Sequence, residues 1–254
     1  MTQTPEGLVT RQFGPRAAAY VASAVHAKGE DLEELGRFAE AHKFARALDL
    51  GCGGGHVSFT LAPHCGEVIA YDLSVAMLAA VATVSATRGL PNVRTIQGAA
   101  EHLPFVDAAF DFAATRYSTH HWRDVPAALK ETRRVLRPGG SMMVMDTVAP
   151  DDVQCDTFLQ VIEVLHDPSH VRDYSVREWT EMLRDAGFTP DEPKRRRVHL
   201  EFSSWIERMQ TPKLQADAVL ALMAQMPDTV RTHFAIEADG SFMLDTASLV
   251  ARAE

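Results

Sequence analysis

Ala47-Leu48-Asp49-Leu50-Gly51-Cys52-Gly53-Gly54-Gly55-His56-Val57 is an apolar run that ends in a glycine cluster and reopens into Ser58-Phe59-Thr60-Leu61. That order reads as strand, tight turn and helix, the opening unit of an open α/β sheet. A backbone that turns this sharply, and lets a ligand approach its amides, has no room for Cβ atoms, which is why glycine stands there. A helix starting near Gly54 points free amides and the positive end of its dipole at the turn, so a carboxylate or phosphate fits there. His56 takes the place of the third glycine of the dinucleotide fingerprint, so that pattern is incomplete. Asp72 follows Gly51 by 21 residues and closes the next apolar run. A carboxylate so placed accepts hydrogen bonds from both ribose hydroxyls of a nucleotide, or alternatively caps the helix that begins at Ser74.

Outward from this turn the chain alternates strands and helices. Upstream, residues 1 to 10 read as disordered. A helix is expected over 11 to 29, with Phe13, Ala17, Tyr20 and Ala24 at helical spacing. Asp31 with Glu34 imitates a capping box and opens a helix to His42 with Leu32, Leu35 and Ala39 inward. Downstream, strands are expected over Gly66–Asp72, Val93–Gln97, Phe110–Thr115 and Ser141–Asp146. Between them lie a helix capped by Ser74 and stopped at Gly89, and one capped by Asp124 that runs from Val125 to Arg137. A capping box at Ser175 and Glu178 starts a helix ending at Gly187, and Arg197–Phe202 reads as a strand. Thr211 as cap and Pro212 at the first helical position open an apolar helix to Met226, and Asp239-Gly240 signals a hairpin before a last strand, Phe242–Ala251. Alternation of this kind predicts a doubly wound, mostly parallel sheet with helices on both faces.

The 254 residues suffice for one large α/β domain with insertions. A hydrophobic share of 46% and charged share of 23% are ordinary for a globular protein, and no apolar run is long enough to span a membrane. Cys52, Cys65 and Cys155 lack the spacing of a zinc or redox motif, and no signal peptide is evident, so a cytoplasmic location is expected. The net charge of -9 disfavours a nucleic-acid partner, whose phosphates would need neutralising. Lys194-Arg195-Arg196-Arg197 reads as the solvated start of a strand rather than as a binding strip.

Four stretches together resemble the class I S-adenosylmethionine (SAM) dependent methyltransferases, in particular the small-molecule branch that includes the ubiquinone and menaquinone biosynthesis enzymes. They are Leu48 to Gly55, Asp72, Gly98-Ala99-Ala100-Glu101-His102-Leu103-Pro104-Phe105, and Arg134-Val135-Leu136-Arg137-Pro138-Gly139-Gly140. The resemblance covers about residues 10 to 147 and implies a Rossmann-like, seven-stranded, mostly parallel sheet whose last strand enters antiparallel. It divides the chain into a SAM-binding core over 1–147, with an N-terminal lid helix, and a remainder of the same domain over 148–254. Two segments there, about 148–174 and 203–232, exceed what the sheet needs and are read as a substrate cap. The resemblance makes SAM the cofactor. It assigns Gly51, Gly53, Gly55 and Asp72 to the turn and the ribose, Asp49 to ordering the turn near the methionine part, and Leu73 and Met77 to the adenine faces. Ala100 and Glu101 fall to the adenine edge, and Thr115, at the end of strand four, is a further cofactor contact.

The transferable methyl should point at Thr115-Arg116-Tyr117-Ser118-Thr119-His120-His121-Trp122. That loop lacks both the proline-flanked signature of base aminomethylation and a Pro-Cys nucleophile. Aromatic faces and imidazoles suit instead a small aromatic or quinol-like acceptor methylated on carbon or oxygen. A histidine titrating near neutrality is the natural proton acceptor, with His121 and His120 as candidates and packing against the next helix as the plainer role of each. With no carboxylate in that loop, no metal is expected there. Phe13, Tyr20, Tyr117, Arg172, Trp205 and Arg208 are candidate acceptor contacts. Trp205 can equally belong to the core and Arg208 to a surface ion pair. Competing functional classes are a non-catalytic SAM-binding subunit and a nicotinamide-dependent oxidoreductase; oligomeric state and acceptor identity are not written in these motifs.

Overall fold

The computed structural model describes residues 5–13 and 29–254. Its centre is five parallel strands, β1 (Arg46–Leu50), β2 (Glu67–Asp72), β3 (Val93–Gln97), β4 (Phe110–Arg116) and β5 (Leu136–Thr147). They lie in the order β3-β2-β1-β4-β5. Three further strands complete the sheet: β6 (Phe188–Pro190), β7 (Lys194–Leu200) and β8 (Phe242–Ala253). β8 pairs antiparallel with β5, and β6 and β7 share its far edge in tandem. Among the described residues eight strands thus fill seven positions, in line with the expected sheet. The reversal of strand order falls between β1 and β4, where an open α/β sheet forms its ligand crevice.

Period-two alternation along the central strands decides what each face buries. On β5, Met142 and Val144 face one core and Met143 and Met145 the other. The first core packs against helices α5 (Val125–Val135) and α7 (Val176–Asp185), through Val125, Ala128, Leu129, Trp179 and Leu183. The second packs against α2 (Glu30–His42) and α3 (His56–Leu61), through Leu32, Leu35, Ala39, Val57 and Leu61. α4 (Val75–Thr87) covers the β2 side through Leu78 and Val81. Each fully buried aliphatic or aromatic side chain stabilises by about 1.5–3 kcal/mol, so this two-sided burial carries the fold.

Ser74 caps α4 by accepting from the Met77 amide, Asp124 caps α5, and Ser175 and Glu178 form the expected capping box of α7. Four local expectations differ. Pro5–Phe13 is a helix, α1, where disorder was expected over most of it, and the rest of the expected helix, including Ala17, Tyr20 and Ala24, lies outside the described residues. Asp31 and Glu34 do not cap α2: Asp31 reaches Arg116, and Glu34 pairs with Lys194 and Arg196. Charge-assisted bonds of this kind are stronger than a neutral cap. α5 stops at Val135, because Pro138 biases Arg137 toward extended backbone, and the chain from Leu136 is already strand, with a register shift opposite Phe110 and Phe112.

The fourth difference lies in the remainder of the chain. β7 starts at Lys194, and Phe202 belongs not to a strand but to helix α8 (Phe202–Met209). Thr211 does not cap helix α9 (Lys213–Gln225); its hydroxyl donates to the His166 carbonyl. Asp239-Gly240 connects α10 (Asp228–His233) to β8 rather than two adjacent strands. These helices and α6 (Val153–His166) pack on one another through Phe158, Leu159, Ile162, Trp205, Val219, Met223 and Phe234. Among the described residues no helix is long and apolar enough to cross a membrane.

Candidate functional site

A cavity of about 790 Å³ opens along the carboxyl ends of β1, β2, β4 and β5, within the range of a small-molecule site. Gly51, Cys52, Gly53, Gly54, Asp72, Leu73, Met77, Ala100 and Glu101 line one part of it. His120, His121 and Trp122 line another, with Glu163, His166, Asp167 and His170 from α6 and the loop after it, and Trp205, Arg208 and Met209 from α8.

At the glycine turn each glycine has its own reason. Gly51 has φ +69, and a Cβ there would lie 1.9 Å from the Ser118 hydroxyl oxygen. Gly53 has φ +46 and, among the described residues, nothing within 4 Å of a Cβ, so its face toward the cavity is bare backbone. Gly55 does not line the cavity; its absent side chain lets α3 approach α4, where a Cβ would meet Val81 at 2.8 Å. Asp72 accepts from the Gly53 amide at 2.8 Å through one carboxylate oxygen and from the Ser74 amide at 2.8 Å through the other. Asp72 thus fixes the turn and opens the helix, and each of its oxygens keeps a further lone pair on the cavity wall. Burial raises its carboxyl above the ordinary value although those amides pull it down.

Asp49 lies fully buried beneath the turn. One of its oxygens accepts from the Ser58 amide at 2.9 Å and hydroxyl at 2.6 Å, while the other has no partner among the described residues. Burial, offset in part by Ser58, pushes its carboxyl up to about 7. An orphaned carboxylate oxygen beside bare glycine backbone fits the cationic, nucleoside-bearing group that the fold family implies. The raised value also gives a pH dependence. The fold favours the protonated form, so this contribution is complete below the ordinary 3.8 and is lost as pH rises through about 7. Asp49→Asn is expected to raise the melting temperature of the ligand-free protein at pH 8, a difference of up to about 4 kcal/mol by linkage. The gap should close toward pH 4; a constant gap across that window in thermal melts would refute the assignment.

Glu101 accepts from the Arg123 and Asp124 amides through one oxygen and so holds the loop before α5. Met77 is buried and Leu73 half-buried on the cavity wall. Thr115 lies fully buried within β4 and outside the cavity lining, because in a strand buried on both faces its side chain faces the interior. Arg172 is also outside the lining, paired with Asp156 and Glu178, since two carboxylates hold it on the outer side of the loop. Tyr117 lines the cavity in a left-handed conformation, φ +46, with the Arg116 guanidinium 4.8 Å over its ring. Phe13 stands edge-on to His121 with centroids 5.1 Å apart. Trp205 is 3% exposed and stacked on His166 at 3.9 Å, so it serves the core as well as the wall. Arg208 lines the cavity and makes no surface ion pair among the described residues. Tyr20 lies outside the described residues.

The two adjacent histidines are held in opposite states. His120 Nδ1 bonds Asp146 at 2.8 Å; burial opposes its charge, but that carboxylate, with Asp173 and Glu163 behind it, pushes His120 up to about 10. His121 Nδ1 donates to the Ser169 carbonyl at 3.2 Å, and burial together with the His120 charge pulls it down to about 4. Neither titrates near neutrality, contrary to the sequence expectation, because no local pattern carries Asp146, 26 residues away. Asp146 closes the apolar run of β5 just as Asp72 closes that of β2, and this parallel is the signal that could have found it. It accepts from the amides of Ser118, Thr119 and Thr147 and from the Thr119 hydroxyl, besides His120.

Asp173 brings a carboxylate to the same place, and ligand atoms of His120, Asp146 and Asp173 lie within 4.8 Å of one another. Carboxylates thus reach the histidine loop from outside it, which loop composition could not reveal. The five donors on Asp146 occupy the lone pairs a cation would need, so the group is organised as a hydrogen-bonded ion pair.

A methyltransferase-domain family profile matches residues 48–144. The chain is 44% identical over 195 residues to the uncharacterized protein YafE of Escherichia coli strain K12, covering 77% of this chain and 94% of YafE. It is 34% identical over 224 residues to the uncharacterized methyltransferase YcgJ of Bacillus subtilis, covering 88% of each. The YcgJ crystal structure superposes with a TM-score of 0.85 over 88% of this chain and 98% of that one. A demethylmenaquinone methyltransferase of Geobacillus kaustophilus is 33% identical over 159 residues, 59% of this chain and 67% of its own length.

Proposed function

The chain belongs to the class I SAM-dependent methyltransferase family, and we propose that it transfers the SAM methyl group to a carbon or oxygen of a small aromatic or quinol-like acceptor. The observation that carries the reading is a single cavity that joins the Gly51–Gly54 turn and Asp72 to the histidine pair under α6 and α8. In this reading Gly53, Asp49 and Asp72 hold the donor's polar groups, Leu73 and Met77 flank its adenine, and Ala100 and Glu101 meet the adenine edge. Bound SAM supplies an electrophilic methyl on a sulfonium. The chain's part is chiefly to align the acceptor and exclude water, since positioning can supply several kcal/mol of the barrier. The segments 148–174 and 203–232 close over the acceptor as a cap.

Of the two histidines, His121 is the neutral one. With Nδ1 donating to Ser169, its Nε2 carries a lone pair, and Asp167 stands 4.0 Å from that atom, ready to stabilise a proton arriving there. An acceptor hydroxyl can pass its proton to this Nε2. His121→Ala is expected to lower turnover about a hundredfold with SAM affinity kept, and an effect under threefold would reduce His121 to packing. The reading as a whole is tested by incubating the protein with methyl-labelled SAM and a panel of phenols, quinols and carboxylates. Label is expected on at least one hydroxylated aromatic. SAM binding with no label passed to any acceptor would favour a regulatory subunit instead.

A further inference from the structure

Asp146 receives five hydrogen bonds, from Ser118, Thr119 and Thr147 amides, the Thr119 hydroxyl and the His120 ring. A carboxylate so fully supplied with donors is ionised and immobile. The His120 ring is pinned by its Nδ1, and its backbone carbonyl is held by the Val171 and Arg172 amides at 2.7 and 3.3 Å. Its side chain is 18% exposed and lines the cavity, and among the described residues its Nε2 has no acceptor. A donor so fixed and left open on the cavity side is arranged for something that is not part of this chain.

We propose that His120 binds the acceptor through its Nε2–H as an imidazolium, holding the acceptor's oxygen as an oxyanion, so that the site selects molecules with an acidic hydroxyl: phenols, quinols or enols. The proposal deepens the methyltransferase reading and depends on it only for the identity of the second substrate. The hydroxyl proton passes to His121 Nε2 as the negative charge it leaves on the oxygen pairs with the His120 cation, so the charge that held His121 neutral is offset in the same step and the oxygen keeps the electron pair. That pair then attacks the donor's methyl carbon through oxygen, the carbon–sulfur bond breaking with its electrons left on sulfur, or attacks through a ring carbon conjugated with it, which afterwards loses its own proton to solvent to restore the ring; both O- and C-methylation therefore suit one site. A neutral amine gains nothing from such a cation and is disfavoured.

The groups facing His120 from each neighbouring element agree. Asp146 on β5 pairs with it, Glu163 on α6 adds negative charge, and Asp173, whose carboxyl burial pushes well above its ordinary range, lies behind them. His170, its ring 5.8 Å from that of His120, is pulled down to about 4 by burial and by the His120 charge, as His121 is. One imidazolium among neutral rings is the arrangement with least like-charge repulsion.

The test uses 4-nitrophenol, whose yellow anion reports its own ionisation, titrated with the full-length protein in the absence of SAM. The anion is expected to bind at least about tenfold more tightly than the neutral phenol, which lowers the bound probe's apparent pKa by about one or more. That preference should vanish in His120→Gln, which keeps a donor without the charge. Side-chain nitrogen NMR of the wild-type protein should show His120 protonated on both nitrogens at pH 8. A neutral His120 at that pH, no binding of the probe at millimolar concentration, or an unshifted bound probe would each overturn the proposal. None of these readouts involves SAM, so a failure here is separable from a failure of the methyltransferase reading.

Discussion

Asp72→Asn is expected to weaken SAM binding about a hundredfold while the protein stays folded. The carboxylate closes β2 beside the bare backbone of Gly53, and each of its oxygens already takes one backbone amide. The remaining lone pairs are the ones that would accept the two ribose hydroxyls. Hydrogen bonds to a charged acceptor are worth about 1.5–3 kcal/mol each, and 1.4 kcal/mol is tenfold in affinity. An asparagine presents one acceptor and one donor, so it faces either Gly53 or Ser74 with the wrong polarity and loses the charge as well. Most of the fold does not depend on this residue, and the melting temperature should fall by only a few degrees. Equilibrium dialysis with labelled SAM checks it. An unchanged affinity would mean that the ribose is held elsewhere.

Asp146→Ala should have the largest effect on the protein itself. It removes the acceptor of four backbone or hydroxyl donors and the partner of a buried imidazolium in one step. Breaking a buried pair from one side costs about 3–5 kcal/mol, which for a chain of this size lowers the melting temperature on the order of 10 °C. His120 then retains burial, which opposes its charge, without the carboxylate that overcame it. Its titration should fall to below neutrality, and with it the preference for an anionic probe. A purely structural Asp146 would lower stability without moving the His120 titration, so NMR on the folded fraction separates the two. Asp146→Asn retains one acceptor and should keep more stability while still neutralising His120.

The core of the fold was legible where the information is local. The strand, turn and helix at 47–61 depend on an apolar run followed by glycines, and the Ser74, Asp124 and Ser175 caps depend on residues within three positions of one another. The Asp31 capping box failed for the opposite reason: Asp31 and Glu34 are claimed by Arg116, Lys194 and Arg196, 85 to 162 residues away in sequence. Thr211 was drawn off in the same way by the His166 carbonyl. At the site, the turn and Asp72 could be read from spacing, and His120 and His121 could be located. Their opposite protonation could not, because Asp146 and Ser169, which set it, come from other parts of the chain. The sequence also could not show that Gly55 serves helix packing, which is visible only in the approach of Val81.

Isothermal titration of the purified, folded protein with SAM and with its demethylated product S-adenosylhomocysteine tests the central claim most directly. The account predicts saturable one-site heat for both ligands, strongly reduced in Asp72→Asn. No heat with either ligand from a protein that melts cooperatively, together with an Asp72→Asn variant indistinguishable from wild type, would contradict it.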